Sequence, residues 1–292
     1  MSTIQTIAKD QKLSCPPWLL PNIHYETTMG SSAYGVANNL SDIDVYGFCI
    51  PPKHMVFPHL AGNIIGFGRQ HKAFKVWQQH HIDYKEENYD LTIFSIVRFF
   101  HLCMDNNPNM VDCLFSPVHC IRHITTIGTL VRDNRHLFLH KGAYHRFKGY
   151  AYSQLNKMRT RTPKGERAKT IEKYGFDIKY GYHLVRLLLE CQQILSTENL
   201  VLDRDKELLK SMRAGEWSMD KIVLFFEKEE KHLDELYRTS NLPHKPDESK
   251  IKDLLLQCLE MHYGSVDDCI IREDQYVKAL SQIKEIIEKV RM

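Results

Sequence analysis

Two aspartates stand one residue apart in the stretch GSSAYGVANNLSDIDVYG, residues 30–47. Asp42 and Asp44 border a run of strand-forming residues, and side chains alternate along a strand, so both carboxylates point to the same face. Carboxylates on one face repel each other unless a cation lies between them. Mg²⁺ binds one or two carboxylates together with phosphate oxygens of a substrate. The spacing therefore predicts a divalent-metal site.

A Gly-Ser pair precedes these aspartates, with ten residues between Ser31 and Asp42. Gly30 has no side chain, so a phosphate can approach the backbone there. Ser31 and Ser32 add hydroxyl groups, and residues 33–38 can form a short helix whose N-terminal amides favour a bound anion. A phosphate site beside a metal site is the arrangement that nucleotidyl transfer from a nucleoside triphosphate requires.

The elements that must hold these residues fall into two parts. Up to about residue 120 the sequence has strand character, and the helical spacing over 95–104 ends at an Asn-Asn-Pro-Asn sequence that caps a further short helix. From residue 121 onward, apolar residues recur at three- and four-residue steps. We therefore expect a catalytic domain over 1–120 and a helical domain over 121–292. The predicted strands are 24–29, 43–50, 73–82 and 89–94, and the predicted later helices are 147–158, 176–196, 218–239, 251–263 and 275–290.

Three segments together resemble a known family. They are GSSAYGVANNLSDIDVYGF (30–48), YDLTIFSIVRFFHLCMDNNPN (89–109) and KYGFDIKYGYHLVRLL (173–188), with weaker similarity over 213–218 and 242–247. The first resembles the signature of the DNA polymerase β nucleotidyltransferase superfamily. The set is similar to its phage and bacterial branch of predicted nucleotidyltransferases, which is associated with RNA repair.

The resemblance implies an α+β fold, with a small mixed, mainly antiparallel sheet flanked by helices and followed by an all-helical C-terminal domain. It also implies a third carboxylate on a later strand, for which Asp90 is the best match and Asp83 and Glu86 are near rivals. Asp42, Asp44 and Asp90 would hold two Mg²⁺ ions, with Mn²⁺ as a substitute, and Asp90 would help take a proton from the acceptor hydroxyl.

In the same interpretation Gly30, Ser31 and Ser32 would bind the phosphates of the triphosphate.

A second group of polar residues lies on the predicted helix 176–196. Lys179, His183 and Arg186 are four and three residues apart and share one face, which Asp177 fits poorly. In one interpretation Lys179 and Arg186 contact the triphosphate or an acceptor phosphate, and His183 orients them. In the other, this face packs against the catalytic domain and its charges are paired across the interface. The resemblance slightly favours the first, so all three are candidate nucleotide-binding residues.

A basic segment precedes that helix. Residues 141–173 contain ten Lys or Arg and two Glu, a local charge of +8, in a chain whose net charge is +3. Aromatic residues are interleaved with the basic ones, and this combination suits RNA through phosphate attraction and base stacking. A solvated charged face is the alternative. The interleaved aromatic residues are Tyr144, Phe147, Tyr150 and Tyr152.

Cysteine usage and hydropathy predict the compartment. The eight cysteines include no CxxC pair, and most have apolar neighbours, which favours reduced, buried thiols over a disulfide framework. The sequence has neither an N-terminal signal pattern nor an apolar run of the roughly 18 residues that a membrane span requires. We therefore expect a soluble cytoplasmic protein, in the host cytoplasm if a phage encodes it, with no membrane partner.

Three functions remain open from the sequence. The first is metal-dependent transfer of a nucleotide to RNA, such as tRNA or a damaged RNA end. The second is the same chemistry on a protein or small-molecule hydroxyl, similar to AMPylation. The third is a non-catalytic nucleic-acid-binding protein on a retained fold. The intact Gly-Ser and Asp-x-Asp motifs argue against the third, and the basic segment favours the first over the second.

Overall fold

The computed structural model describes residues 2–37, 42–66, 68, 72–161, 166–270, 280, 282–284, 286 and 287. These residues form a five-stranded sheet surrounded by helices. The strands are β1 Ile23–Thr28, β2 Ile43–Cys49, β3 Val76–Tyr84, β4 Glu87–Ser95 and β5 Ile121–Ile124. The α-helices are α1 Thr3–Lys9, α2 Lys53–Val56, α3 Ile96–Met104, α4 Pro108–Phe115, α5 Thr126–Asp133, α6 Gly142–Thr160, α7 Glu166–Tyr174, α8 Ile178–Thr197, α9 Lys206–Arg213, α10 Met219–Thr239 and α11 Glu248–Tyr263.

The sheet is mixed. Its strand order is β3-β4-β2-β1-β5, with β2 and β4 parallel and the other neighbours antiparallel. Parallel strands need a crossover connection. Here the crossover runs through α2 to β3, which then forms a hairpin with β4. This topology places β2, which begins directly after Asp42, beside β4.

Apolar residues on the strands point alternately to the two faces of the sheet, and each face is covered by an apolar cluster. Val45 and Leu91 lie in a smaller cluster with Ile4 and Ile7 of α1, on one face. Phe48 on the opposite face belongs to a large core that extends into the helices that follow the sheet. Since this core is continuous from β2 to α8, the site-bearing strand and the later helices are packed into one body.

The predicted fold class is confirmed: the chain has a small mixed sheet flanked by helices and a helical C-terminal region. Several details differ from the sequence-based expectations. β5 lies just beyond the predicted boundary at residue 120 and completes the sheet. The helices α1, α2, α5, α7 and α9 were not among those predicted. Residues 31–35 form hydrogen-bonded turns where a short helix was expected. Most of the predicted helix 275–290 lies outside the described residues. Within the described part of the chain, no helix is both long and apolar enough to cross a membrane.

Candidate active site

Asp44 and Asp90 are direct neighbours. The register of the parallel pair sets Asp44 of β2 opposite Asp90 of β4, so the two carboxylates share one face of the sheet. Burial raises the pKa of Asp44, and the negative charge of Asp90 raises it further. The positive charge of Lys179 acts in the opposite direction. The two carboxylates therefore repel each other at a place where a cation would be stabilised.

Asp42 lies at the exposed edge of the same site. It stands one residue before β2, directly after residues 38–41, which lie outside the described residues. Its negative charge also contributes to the raised pKa of Asp44. The site thus combines one exposed carboxylate with two that are partly buried, all close to the start of β2.

Gly30 touches the Asp44 carboxylate. Its φ of +65° is one that residues with side chains rarely adopt, and a Cβ there would lie 2.7 Å from Asp44 Oδ2. The neighbouring Met29 N–H donates a 2.7 Å hydrogen bond to the Asp44 carbonyl oxygen. Only glycine fits this position, so the backbone of the turn can approach the carboxylates as closely as the sequence predicts.

Residues 30–36, called the 30–36 turn below, form consecutive tight turns. The Ala33 N–H donates to the Gly30 carbonyl oxygen (3.1 Å), and the Val36 N–H donates to that of Ser31 (2.9 Å). Ser31 and Ser32 are half-buried at this turn. The predicted phosphate-binding residues therefore lie next to the carboxylates, although the segment is not helical.

Asp90 is held from the edge strand by a bulge. The pairing of β3 with β4 shifts register between Gln79 and Ile82, which leaves His80 and His81 unpaired in the ladder. His81 has φ +54°, and its backbone N–H donates to Asp90 Oδ1 at 2.8 Å. The His80 Nδ1 lies 3.3 Å from Asp90 Oδ2. Both Asp90 oxygens are thus contacted by β3, an arrangement that no sequence pattern indicated.

The rival carboxylates lie elsewhere. Asp83 is paired with Asn88 at the far end of the hairpin, where the Asn88 side chain donates to Asp83 Oδ1 at 3.0 Å. Glu86 lies in the hairpin turn with φ +66°. Neither residue stands opposite Asp44 in the sheet.

The three candidate residues of α8, Lys179, His183 and Arg186, lie in different environments. Asp177 is the N-cap of α8, and its Oδ1 accepts from the Lys179 N–H at 3.0 Å. Lys179 is exposed, and its charge acts to lower the pKa of Asp44, so it lies near enough to interact with that carboxylate. His183 is half-buried, with its ring against that of Tyr182.

Arg186 is buried and takes part in ion pairs inside the protein. Its Nη1 lies 2.8 Å from Asp112 Oδ2 and 3.4 Å from Glu190 Oε1. For Arg186 these contacts favour the second interpretation of the sequence, that of charges paired across an interface.

Three further cations lie around the 30–36 turn. The Arg122 Nε donates to Thr28 Oγ1 at 2.6 Å, two residues before Gly30. The Arg213 Nη1 donates to the Val36 carbonyl oxygen at 2.5 Å, and Lys206 packs against Gly35. The weak similarity over 213–218 includes Arg213 without assigning it a role, and nothing in the sequence pointed to Arg122 or Lys206, because all three reach the turn from distant elements.

The basic segment is only partly available to a ligand. In the first half of α6, Arg146 pairs with Asp105, and Lys148 pairs with Glu230 and Asp234. Lys141 is buried. The second half of α6 leaves Arg159 and Arg161 exposed at its end, followed by residues 162–165 outside the described part. The exposed aromatic residues of this helix are Tyr150 and Tyr152.

The carboxylates form an open site rather than a closed metal cage. Across the residues that the structure describes, no three His, Cys, Asp or Glu side chains are grouped as a ready-made metal site. The chemistry of the donors nevertheless suits Mg²⁺, which binds few protein carboxylates and completes its shell with substrate oxygens and water. Because Gly30 has no side chain, nothing from this position crowds the Asp44 carboxylate, whose Oδ2 would lie 2.7 Å from a Cβ there.

Residues 1–256 match the model of the RNA repair pathway DNA polymerase beta family. The chain belongs to this family. Membership supports a transferase of the nucleotidyltransferase type. A comparison with curated proteins finds no match.

Among solved structures, the chain is similar to a nucleotidyltransferase-like protein from Exiguobacterium sibiricum 255-15. The sequences are 9% identical, and the superposition has a TM-score of 0.30 and covers 88% of this chain and 78% of that one.

Proposed function

We propose that this protein is a metal-dependent nucleotidyltransferase that moves a nucleoside monophosphate from a nucleoside triphosphate to a hydroxyl group of an RNA, with pyrophosphate as the leaving group. The observation that carries the proposal is the register of β2 and β4, in which Asp44 stands opposite Asp90 with Gly30 in contact. Family membership supports the reaction type, and the residues around the pair support the choice of substrate.

Asp42, Asp44 and Asp90 would hold one or two Mg²⁺ ions, with Mn²⁺ as a substitute. Bound there, the metal would neutralise phosphate charge and lower the pKa of the acceptor hydroxyl. The raised pKa of Asp44, which Asp90 and Asp42 both increase, supports this role because a bound cation would remove that repulsion.

The triphosphate would bind along the 30–36 turn. Ser31 and Ser32 offer hydroxyl groups there, and Lys179 supplies a positive charge on the side of Asp44. Arg122 and Arg213, which donate to Thr28 and to the Val36 carbonyl, add positive charge at both ends of the turn. A site with cations around a glycine turn favours a polyphosphate over a neutral ligand.

The RNA would approach along the end of α6. Met158 packs against Gly181, so the exposed end of α6 lies beside the start of α8 and therefore near Lys179. Arg159 and Arg161 are exposed at this end, where they could contact phosphates next to the acceptor hydroxyl. Asp90, held by His80 and His81, is the carboxylate that would take part in removing the hydroxyl proton.

The direct test is incubation of the purified protein with Mg²⁺, total RNA and each of four nucleoside triphosphates labelled at the α-phosphorus. Asp44→Asn is the matched inactive variant, because it keeps the shape of the side chain and removes its charge. We expect label in RNA with the wild type alone, which also identifies the nucleotide. Label on a protein instead would replace RNA with a protein acceptor, and equal labelling by Asp44→Asn would refute the proposed site.

A further inference from the structure

A buried polar chain connects the 30–36 turn to α8. The Tyr34 hydroxyl donates to Asp112 Oδ2 at 2.6 Å, and the Arg186 Nη1 donates to the same oxygen at 2.8 Å. The Arg186 guanidinium also stacks on Tyr34, with its carbon 4.1 Å from the ring centroid. The exposed fractions of Tyr34, Asp112 and Arg186 are 4%, 0% and 5%. Each residue comes from a different element: the turn, α4 and α8.

A buried network of polar and charged side chains contributes little to the stability of a fold. Burying charges costs several kcal/mol per ion, and apolar residues of similar volume often stabilise a core as well or better. Two buried atoms of these residues, Asp112 Oδ1 and Arg186 Nε, also have no hydrogen-bond partner within the described structure. What a buried polar network provides is a single arrangement of the parts it joins.

This network connects the 30–36 turn, the candidate phosphate-binding segment, to the protein interior. Tyr34 lies four residues after Gly30, and its backbone N–H faces the Gly30 carbonyl oxygen at 3.4 Å. Gly30 in turn touches Asp44. Fixing the Tyr34 ring therefore fixes the backbone of Gly30 and Ser31 relative to the carboxylates.

We propose that Asp112 and Arg186 are positioning residues: through Tyr34 they hold the 30–36 turn in the geometry that receives the triphosphate. This inference rests on the proposed function for the identity of the ligand. It gives Arg186 a role through Tyr34 in place of the direct phosphate contact that the spacing on α8 suggested. α8 thereby acts on the site twice, through exposed Lys179 and through buried Arg186.

Tyr34→Phe is the sharpest variant, because it removes one oxygen atom and keeps the ring over Arg186. Tyr25→Phe is its matched control. Tyr25 is fully buried, its hydroxyl bonds to the Cys113 carbonyl oxygen and Ser116 Oγ, and it accepts from Arg132. Tyr25→Phe therefore removes a buried hydroxyl with at least as many hydrogen bonds, all of them outside the 30–36 turn.

Two measurements distinguish a positioning role of this network from a purely stabilising one. The first is the KM for the triphosphate against kcat in the labelling assay, with nucleotide affinity by calorimetry. The second is amide hydrogen exchange at residues 33–36 without nucleotide. We expect Tyr34→Phe to weaken nucleotide binding about tenfold, as the loss of a buried hydrogen bond predicts, and to speed exchange in the turn. Tyr25→Phe is expected to lower the melting temperature similarly while leaving both readouts at wild-type values.

The proposal is overturned if Tyr34→Phe changes the melting temperature alone, as the control does, or if both variants weaken nucleotide binding equally. Arg186→Lys provides a second check, because lysine keeps the charge but loses the planar donors and the stacking; it is expected to reproduce the Tyr34→Phe exchange pattern. If the wild type binds no triphosphate, the proposed function fails, and the exchange comparison still decides whether the network orders the turn.

Discussion

Gly30 and Asp44 are packed so closely that no side chain fits between them: a Cβ on Gly30 would lie 2.7 Å from Asp44 Oδ2. The contact links the turn that would bind phosphate to the carboxylate that would bind metal. Because the glycine also has φ +65°, its replacement affects both the backbone and the site.

Gly30→Ala is expected to lower transfer at least tenfold, because the new methyl group displaces the Asp44 carboxylate. It should also cost about 1 kcal/mol of unfolding free energy from the positive φ. Gly62→Ala is the control, since Gly62 has φ +75° with open space around its Cβ position. Kinetics and chemical denaturation of the two variants check this; an equal loss of transfer in both would contradict it.

The bulge of β3 predicts different roles for two adjacent histidines. His80 reaches Asp90 with its ring, whereas His81 does so with its backbone N–H. His80→Ala should therefore lower kcat several-fold with little change in KM for the triphosphate. His81→Asn should stay near wild type, because asparagine tolerates the positive φ and keeps the backbone donor. The opposite order of effects would show that the bulge does not hold Asp90 in this way.

The buried carboxyl groups beside Arg186 predict a pH-dependent stability. Burial raises the pKa of Glu190 to about 7, with Asp205 also raising it and Arg186 lowering it, and burial raises the pKa of Asp112 as well. A raised pKa in the folded state favours the protonated form there, so this contribution to stability is lost as pH rises from the ordinary value of 4.5 through about 7.

Glu190→Gln removes the group that must ionise. The variant is expected to gain unfolding free energy relative to wild type between pH 5 and pH 8, by about 1–3 kcal/mol. Urea denaturation at both pH values measures this. Glu207→Gln, at an exposed site on α9, is the control and should show no such gain. A difference from wild type that is the same at both pH values would mean that Glu190 does not titrate in this range.

The end of α6 predicts a local RNA contact. Arg159→Ala with Arg161→Ala should weaken RNA binding and reduce the slope of log affinity against log salt by up to about 1.4, or about 0.7 per lost phosphate contact. Arg146→Ala on the same helix is the control, because Arg146 already pairs with Asp105. Binding measured at several salt concentrations checks this, and equal slopes for the three proteins would exclude this surface as the RNA site.

The local features of the site could be predicted because they depend on neighbours in the chain. Strand alternation predicted that Asp42 and Asp44 lie on one face, although Asp42 stands just before β2, and the need for close backbone approach singled out Gly30. The Asn-Pro-Asn sequence marks the start of α4, with Asn107 as its N-cap. Each of these follows from the geometry of a few consecutive residues.

The position of α8 could be predicted from the sequence, but the roles of the charged residues on it could not. Apolar spacing located α8 within two residues, yet it placed Lys179 and Arg186 on one face as equivalent candidates. They are seven residues apart, which is about 10 Å along a helix. Over that distance the helix passes from the exposed site into the core, so one charge faces Asp44 and the other faces Asp112.

The sequence by itself determined the family, through three segments that resemble it, and that resemblance implied the fold class; local spacing and turn chemistry also predicted the Gly-Ser and Asp-x-Asp site. The tertiary structure alone decided which carboxylate stands opposite Asp44, which helix charges reach the site, and which cations surround the 30–36 turn. These depend on strand register, on the β3 bulge and on contacts between residues more than a hundred positions apart, such as Val36 and Arg213. Local propensity carries no information about such contacts, since they form only when the whole core packs.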